Sequence, residues 1–181
     1  NDGSAYMGRL AQRALIVQAL KSGIDTSTQA REEQIDYQLI SCPQYPELAV
    51  NMIALNNERN NTAFVLVDTP LRLSPEGTNI TTWSTDNNGE GVPAGDGLTT
   101  ASQYMGTFYP SCQTTDLSGN SVVTAPSHMM IRTIIRSDEV SYPWFAPAGT
   151  RRGVVDNALQ IGYINATTGE FNSLGVNQGL R

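Results

Sequence analysis

His128 is the only histidine in the chain, so any step that needs an imidazole must pass through it. A serine-histidine-aspartate arrangement would require Ser127, or another serine, to converge with His128 and with a carboxylate such as Asp68. Ser127, however, stands beside Pro126 where a helix is predicted to begin, a position at which serine serves the backbone. No Gly-x-Ser-x-Gly elbow surrounds it. Asp68 closes an apolar run, at the strand end where α/β enzymes hold ligands. The composition Asp68-Thr69-Pro70 accounts for the same residue equally well as a turn. One histidine and two separated thiols, Cys42 and Cys112, do not make a recognisable metal-ligand set. These residues therefore assign no catalytic, cofactor-binding or metal-ligating position.

Glycines recur from Gly89 to Gly97, but the segment lacks a Walker lysine, misses the G-x-G-x-x-G spacing and follows no strand, so it reads as a surface loop. Arg132 and Arg136 share one face of a predicted helix, and Arg151-Arg152 sit between Gly149 and Gly153. Either pair could hold an anion. Carboxylates such as Asp138 and Glu139 offer the simpler use, ion pairs within the domain or across a subunit interface. The triplets at Asn60, Asn79 and Asn165 match the glycosylation pattern by chance in a chain rich in Asn and Thr.

Composition narrows the classes further. The 181 residues carry 11 basic and 17 acidic side chains, and Lys21 is the sole lysine. A net charge of -6 provides no cationic footprint for a nucleic acid or an anionic membrane. Two cysteines in a chain of this size are not a disulfide scaffold, and both are expected to be reduced and buried. No secretory pattern opens the chain, and its apolar runs fall far short of the ~20 residues that span a bilayer. The protein therefore reads as soluble and unsecreted, with no direct membrane insertion.

The elements that must position these groups follow from periodicity. Met7, Leu10, Ala14 and Val17 predict an amphipathic helix from Ala5 to Lys21, with Gly23 as its stop. Asp25 to Glu33 is a polar stretch that could be helical. Tyr37 to Cys42 reads as a strand, and Pro46 to about Arg59 as a helix closed by Asn60-Asn61. Ala63 to Val67 is a continuous apolar run, the pattern of a strand covered on both faces in a parallel sheet. A short helix from Glu76 to Ser84 would anchor Trp83. Tyr104 to Tyr109 favours a strand, Asp116 to Asn120 a turn, and Ser121 to Ala125 an extended return. Pro126 opens a helix to about Asp138, with Ile131, Ile134 and Ile135 inward and Arg132 and Arg136 outward. Tyr142 to Gly153 is irregular, Leu159 to Tyr163 is a strand, Thr167-Thr168-Gly169 is a turn, and Glu170 towards Gln178 is weakly helical. Alternating strands and helices predict a single α/β layered domain, its mainly parallel or mixed sheet flanked by helices.

Ser137-Asp138-Glu139-Val140-Ser141-Tyr142-Pro143-Trp144-Phe145-Ala146-Pro147-Ala148-Gly149-Thr150-Arg151-Arg152-Gly153-Val154 closely resembles a segment of contractile tail sheath proteins. In that family a proline-aromatic pair leads into Ala-Pro-Ala-Gly and Arg-Gly. Leu39 to Pro43 with Tyr45-Pro46-Glu47, Ala63 to Asp68, Tyr104 to Pro110 and Asn177 to Arg181 appear in the order the family shows. The chain is most similar to the sheath proteins of T4-like myophages and cyanophages. The resemblance implies a non-enzymatic structural subunit of the virion tail, made in the host cytoplasm, that surrounds the tail tube and contracts to drive it through the host envelope. The implied partners are other sheath subunits, the tail tube protein, and the baseplate and tail terminator proteins. The family continues into a C-terminal region that links subunits, so the chain is expected to be a core piece that is monomeric by itself. Within the motif, Pro143, Pro147, Gly149 and Gly153 are expected to fix an irregular corner, with Trp144 and Phe145 as buried anchors. A virion-displayed adhesin and an α/β hydrolase-like enzyme are the alternatives.

Overall fold

The computed structural model describes residues 7–85, 97–98 and 100–176, with side chains from residue 11 onward. It is a mixed α/β fold built on two sheets. A three-stranded parallel sheet has the order β1 (Leu39–Ser41), β2 (Phe64–Asp68), β3 (Met105–Phe108). A four-stranded antiparallel sheet has the order β5 (Ser121–Thr124), β4 (Ser111–Thr115), β6 (Gln160–Ile164), β7 (Phe171–Val176). Only Tyr109 and Pro110, joined by a cis peptide, separate β3 from β4, so one extended run passes from the first sheet into the second.

The apolar run at β2 occupies the centre of the parallel sheet, with Val65, Leu66 and Val67 all buried. Successive side chains point to opposite faces. Val65 and Val67 pack with Leu48, Ala49, Met52 and Ile53, contributed by the turn Pro46–Leu48 and by α2 (Ala49–Glu58). Val17, Leu20 and Ile24 of α1 (Met7–Thr26) cover that cluster. The opposite face carries Leu66 and Asp68 and meets α4 (Pro126–Val140), which also packs on β3 and β4. Helix α4 therefore spans both sheets, and its Met129 joins Cys112 and Ala158 in a second apolar cluster.

Local signals explain several boundaries. Helix α2 ends where Asn60 and Asn61 take left-handed φ values of 58° and 57°, a region asparagine tolerates. The buried Asn56 amide then bonds both the N–H and the carbonyl of Ala63, tying the helix end to the start of β2. Trp83, on the short α3 (Asn79–Ser84), is 2% exposed, as its anchoring role requires. The Asp116 carboxylate accepts from the Ser118 and Asn120 N–H groups and shapes the β4–β5 turn.

Other expectations need correction. Helix α1 runs through Gly23 to Thr26, and Ala14 lies on its exposed side. On α4 the buried stripe is Met129, Thr133 and Ser137, while Ile135 is exposed. The spacing of four suits a helix face, and Thr133 satisfies its hydroxyl on the Met129 carbonyl. Ser111–Thr115 is a central strand although its composition is polar. Phe171–Val176 is an edge strand, where helix was expected. Gly149–Arg152 forms a short helix, α5, inside the stretch read as irregular.

Candidate functional site

The carboxyl end of β2 is the most heavily bonded polar point in the interior. Asp68 is buried, and its Oδ1 accepts the Ser127 N–H at 2.6 Å. Its Oδ2 accepts the Ser127 hydroxyl at 2.7 Å and the Gln44 N–H at 2.9 Å. The alternation along β2 turns Asp68 towards α4, and Pro126 at the first helical position leaves Ser127 to present its N–H outward. That N–H is one of the four a helix cannot satisfy itself, so a carboxylate there gains both a bond and the favourable helix dipole. Gln44 sits at φ 69°, an uncommon conformation for a side-chain-bearing residue, and its bond to Asp68 helps hold it.

Two of the three groups named for a catalytic triad thus come together, and the third does not. Ser127 is fully buried and gives its hydroxyl proton directly to Asp68, whereas a nucleophile must be reached by substrate. His128 points to the exposed side, and its imidazole bonds no described residue. The arrangement fastens α4 to the sheet and the loop after β1.

Both cysteines feel the same carboxylate. Burial first, then the Asp68 charge, then Glu47, raises the Cys42 thiol above its ordinary range. Burial and then Asp68 do the same to Cys112. Both are free thiols, Cys112 buried and Cys42 only half-buried. Each is held protonated and weakly nucleophilic at neutral pH. Among the described residues no cluster of three or more metal-ligating side chains occurs. A polar cleft of about 130 Å³ lies between the segment after β2 and the β6–β7 turn, lined by Arg72, Ser74, Glu76, Tyr163, Asn165 and Asn172.

The segment after α4 is a second site of a different kind. Trp144 is 75% exposed, Tyr142 59% and Phe145 40%, so the aromatic residues expected to anchor the interior face outward instead. They satisfy one another. Tyr142 and Trp144 stack with ring centroids 4.7 Å apart and planes 5° from parallel, and Phe145 tilts against both. The Arg152 guanidinium lies 4.5 Å from the Phe145 ring centre and also donates to the Ser141 hydroxyl at 3.5 Å. The backbone residues of the motif do what their types require. Pro143 and Pro147 restrict the chain on either side of the rings. Gly149 has φ 75°, and a side chain at Gly153 would place its Cβ 2.8 Å from the Ala148 Cα.

The charged candidates separate. Arg136 pairs with Asp156, not with Asp138 or Glu139. Arg132, Asp138, Glu139 and Arg151 are exposed and bond no described residue. Sequence reasoning paired Ser127 with Asp68 only within a catalytic triad that it set aside, and missed the fastening role of the bond that joins these positions 59 residues apart. The glycine-rich segment from Gly89 to Gly95 and the closing stretch from Asn177 to Arg181 lie outside the described residues. No described helix is long and apolar enough to cross a membrane. Compared with family models, curated proteins and solved structures, the chain matches none of them.

Proposed function

We propose that the chain is the α/β core of a contractile tail sheath subunit, a structural component that works through contacts with its neighbours. The carrying observation is the 142–153 corner. The segment with the sheath-like motif presents three mutually packed aromatic rings, two of them stacked, to solvent on a backbone restricted by Pro143, Pro147, Gly149 and Gly153. A compact exposed aromatic patch of this kind suits a protein interface, where Trp, Tyr and Arg concentrate binding energy. The interior polar groups support the same reading, because Asp68 and Ser127 spend their bonding capacity on each other and on the backbone.

On this reading the subunits stack around a tail tube in the virion and rearrange together on contraction, exchanging one set of contacts for another. Neighbouring sheath subunits and the tube protein are the partners, with baseplate and terminator proteins at the two ends. The test is electron microscopy of the full-length product expressed alone. Rings, tubes or polysheaths are expected. Soluble monomers under all conditions would refute the reading. Glycan or cell-surface binding by the isolated chain would favour a displayed adhesin, since exposed aromatic rings can also stack on sugars.

A further inference from the structure

Two surface regions of the chain carry exposed side chains of opposite charge that bond no described residue. The first is the aromatic corner, beside which Arg151 is exposed and bonds no described residue. The second is the turn between α1 and β1, where Glu32, Glu33 and Asp36 are exposed around Ile35, itself 42% exposed. Their carboxylates bond no described residue either.

This acidic turn has a fixed backbone. The Arg59 guanidinium donates to the carbonyls of Ala30, Glu32 and Ile35, and lies 4.2 Å from the Tyr37 ring centre. Arg59 is thus committed to the backbone and to an aromatic ring, Arg31 to Glu58 and to the carbonyls of Ile24 and Ser27, and the three carboxylates are left projecting from a pinned loop. Gathering like charges on an already acidic chain is unfavourable until an opposite charge meets them. The corner offers that charge together with apolar rings to cover Ile35.

We infer that the aromatic-arginine corner of one copy docks on the Glu32–Asp36 turn of a second copy. Trp144 and Tyr142 cover Ile35, and Arg151 faces the carboxylates. The two patches are different surfaces of the chain, so the contact is head-to-tail and leaves one free patch at each end. Such a contact propagates into a ring or a helical array. The inference rests on the proposed reading of the chain as a repeated structural subunit.

The test uses the full-length product. Its concentration for half-assembly is measured for the unmodified protein, for Trp144→Ala, for Arg151→Glu, for the pair Glu32→Arg with Glu33→Arg, and for the combined charge swap. All these positions are surface ones, and circular dichroism with a thermal melt verifies that each variant folds. Each of the three partial variants is expected to raise the half-assembly concentration at least about tenfold. The combined swap is expected to recover assembly to within about threefold of the unmodified protein, because both charges reverse together. A folded Trp144→Ala or Arg151→Glu variant that assembles like the unmodified protein overturns the inference, as does a charge swap that recovers nothing; in both cases the sheath reading stands. Failure of the unmodified product to assemble overturns both.

Discussion

Removing the Asp68 carboxylate tests whether the β2–α4 junction holds the fold together. In Asp68→Ala three donors lose their acceptor: the Ser127 N–H, the Ser127 hydroxyl and the Gln44 N–H. Hydrogen bonds to a charged acceptor contribute ~1.5–3 kcal/mol each, and a buried donor left unmade costs ~1–3 kcal/mol. Those losses do not add fully. The Ser127 hydroxyl can rotate to another acceptor, and the half-buried Gln44 can turn to water, which leaves the Ser127 N–H as the principal orphan. Loss of an anion at the start of α4 adds ~0.5–1 kcal/mol, and relief from burying a charge offsets part of the total. The expected net cost is ~2–3 kcal/mol, a substantial share of the ~5–15 kcal/mol that stabilises a domain. Ser127→Ala, which leaves Asp68 with two donors, should cost ~1–2 kcal/mol. Urea unfolding at neutral pH, followed by circular dichroism, measures both. The double variant should cost less than the sum by ~1–2 kcal/mol, since both halves remove the Ser127 hydroxyl–Asp68 bond. An Asp68→Ala cost below about 1 kcal/mol, or strict additivity, would refute the assignment of the junction as a fastening point.

Three further outcomes follow from the same geometry. Trp83→Ala should cost ~3–5 kcal/mol, as loss of a buried aromatic does, whereas Trp144→Ala should stay within about 1 kcal/mol; acrylamide quenching of Trp144 but not of Trp83 checks the assignment directly. Cys42 should alkylate slowly at neutral pH, and Asp68→Asn should shift its pH-rate profile to lower pH, because one of the influences raising the thiol is removed; an unmoved profile would count against the proximity of the two groups. Asp116 should titrate below its ordinary 3.8, chiefly because the Asn120 side chain bonds its charged form, and Asn120→Ala should return it upward in an NMR titration. Since the folded value is the lower one, the associated stability is present above pH 3.8 and is lost as the pH falls through the folded value.

Much of the first sheet could be read from sequence, because its signals are local. Val65 to Val67 are apolar since both faces of β2 are covered there, although Phe64 at the strand's start is exposed, and Asn60-Asn61 marks the preceding stop by a conformation that few other residues accept. The second sheet hid its strands. Ser111-Cys112-Gln113-Thr114-Thr115 is polar because partners on both sides, rather than apolar packing along its length, hold it in place. Phe171 and Leu174 have a spacing that fits a helix as well as an edge strand, and the irregularity at Ile161/Gly162 disturbs the register of the pair. The Asp68–Ser127 bond could not be inferred from spacing, because only the tertiary fold brings those positions together. The aromatic corner misled for a physical reason. Large rings are usually buried, but Tyr142, Trp144 and Phe145 shield part of their surface against one another and leave the rest to solvent.

The Asp68 junction also imposes an order on folding. The β4–β5 and β6–β7 pairs close over short turns and can form as soon as their own strands exist. The parallel sheet must instead bring Leu39 beside Phe64 and Val65 beside Met105, slower closures across longer stretches of chain. When the ribosome has delivered all three parallel strands, Ser127 is still unmade, and Asp68 has only Gln44 to answer its charge. A sheet carrying a half-answered carboxylate on its inner face gains its full stability only when α4 arrives. The parallel sheet, complete in sequence by Phe108, therefore depends on a helix made later in the chain for two of the three donors that answer its buried carboxylate.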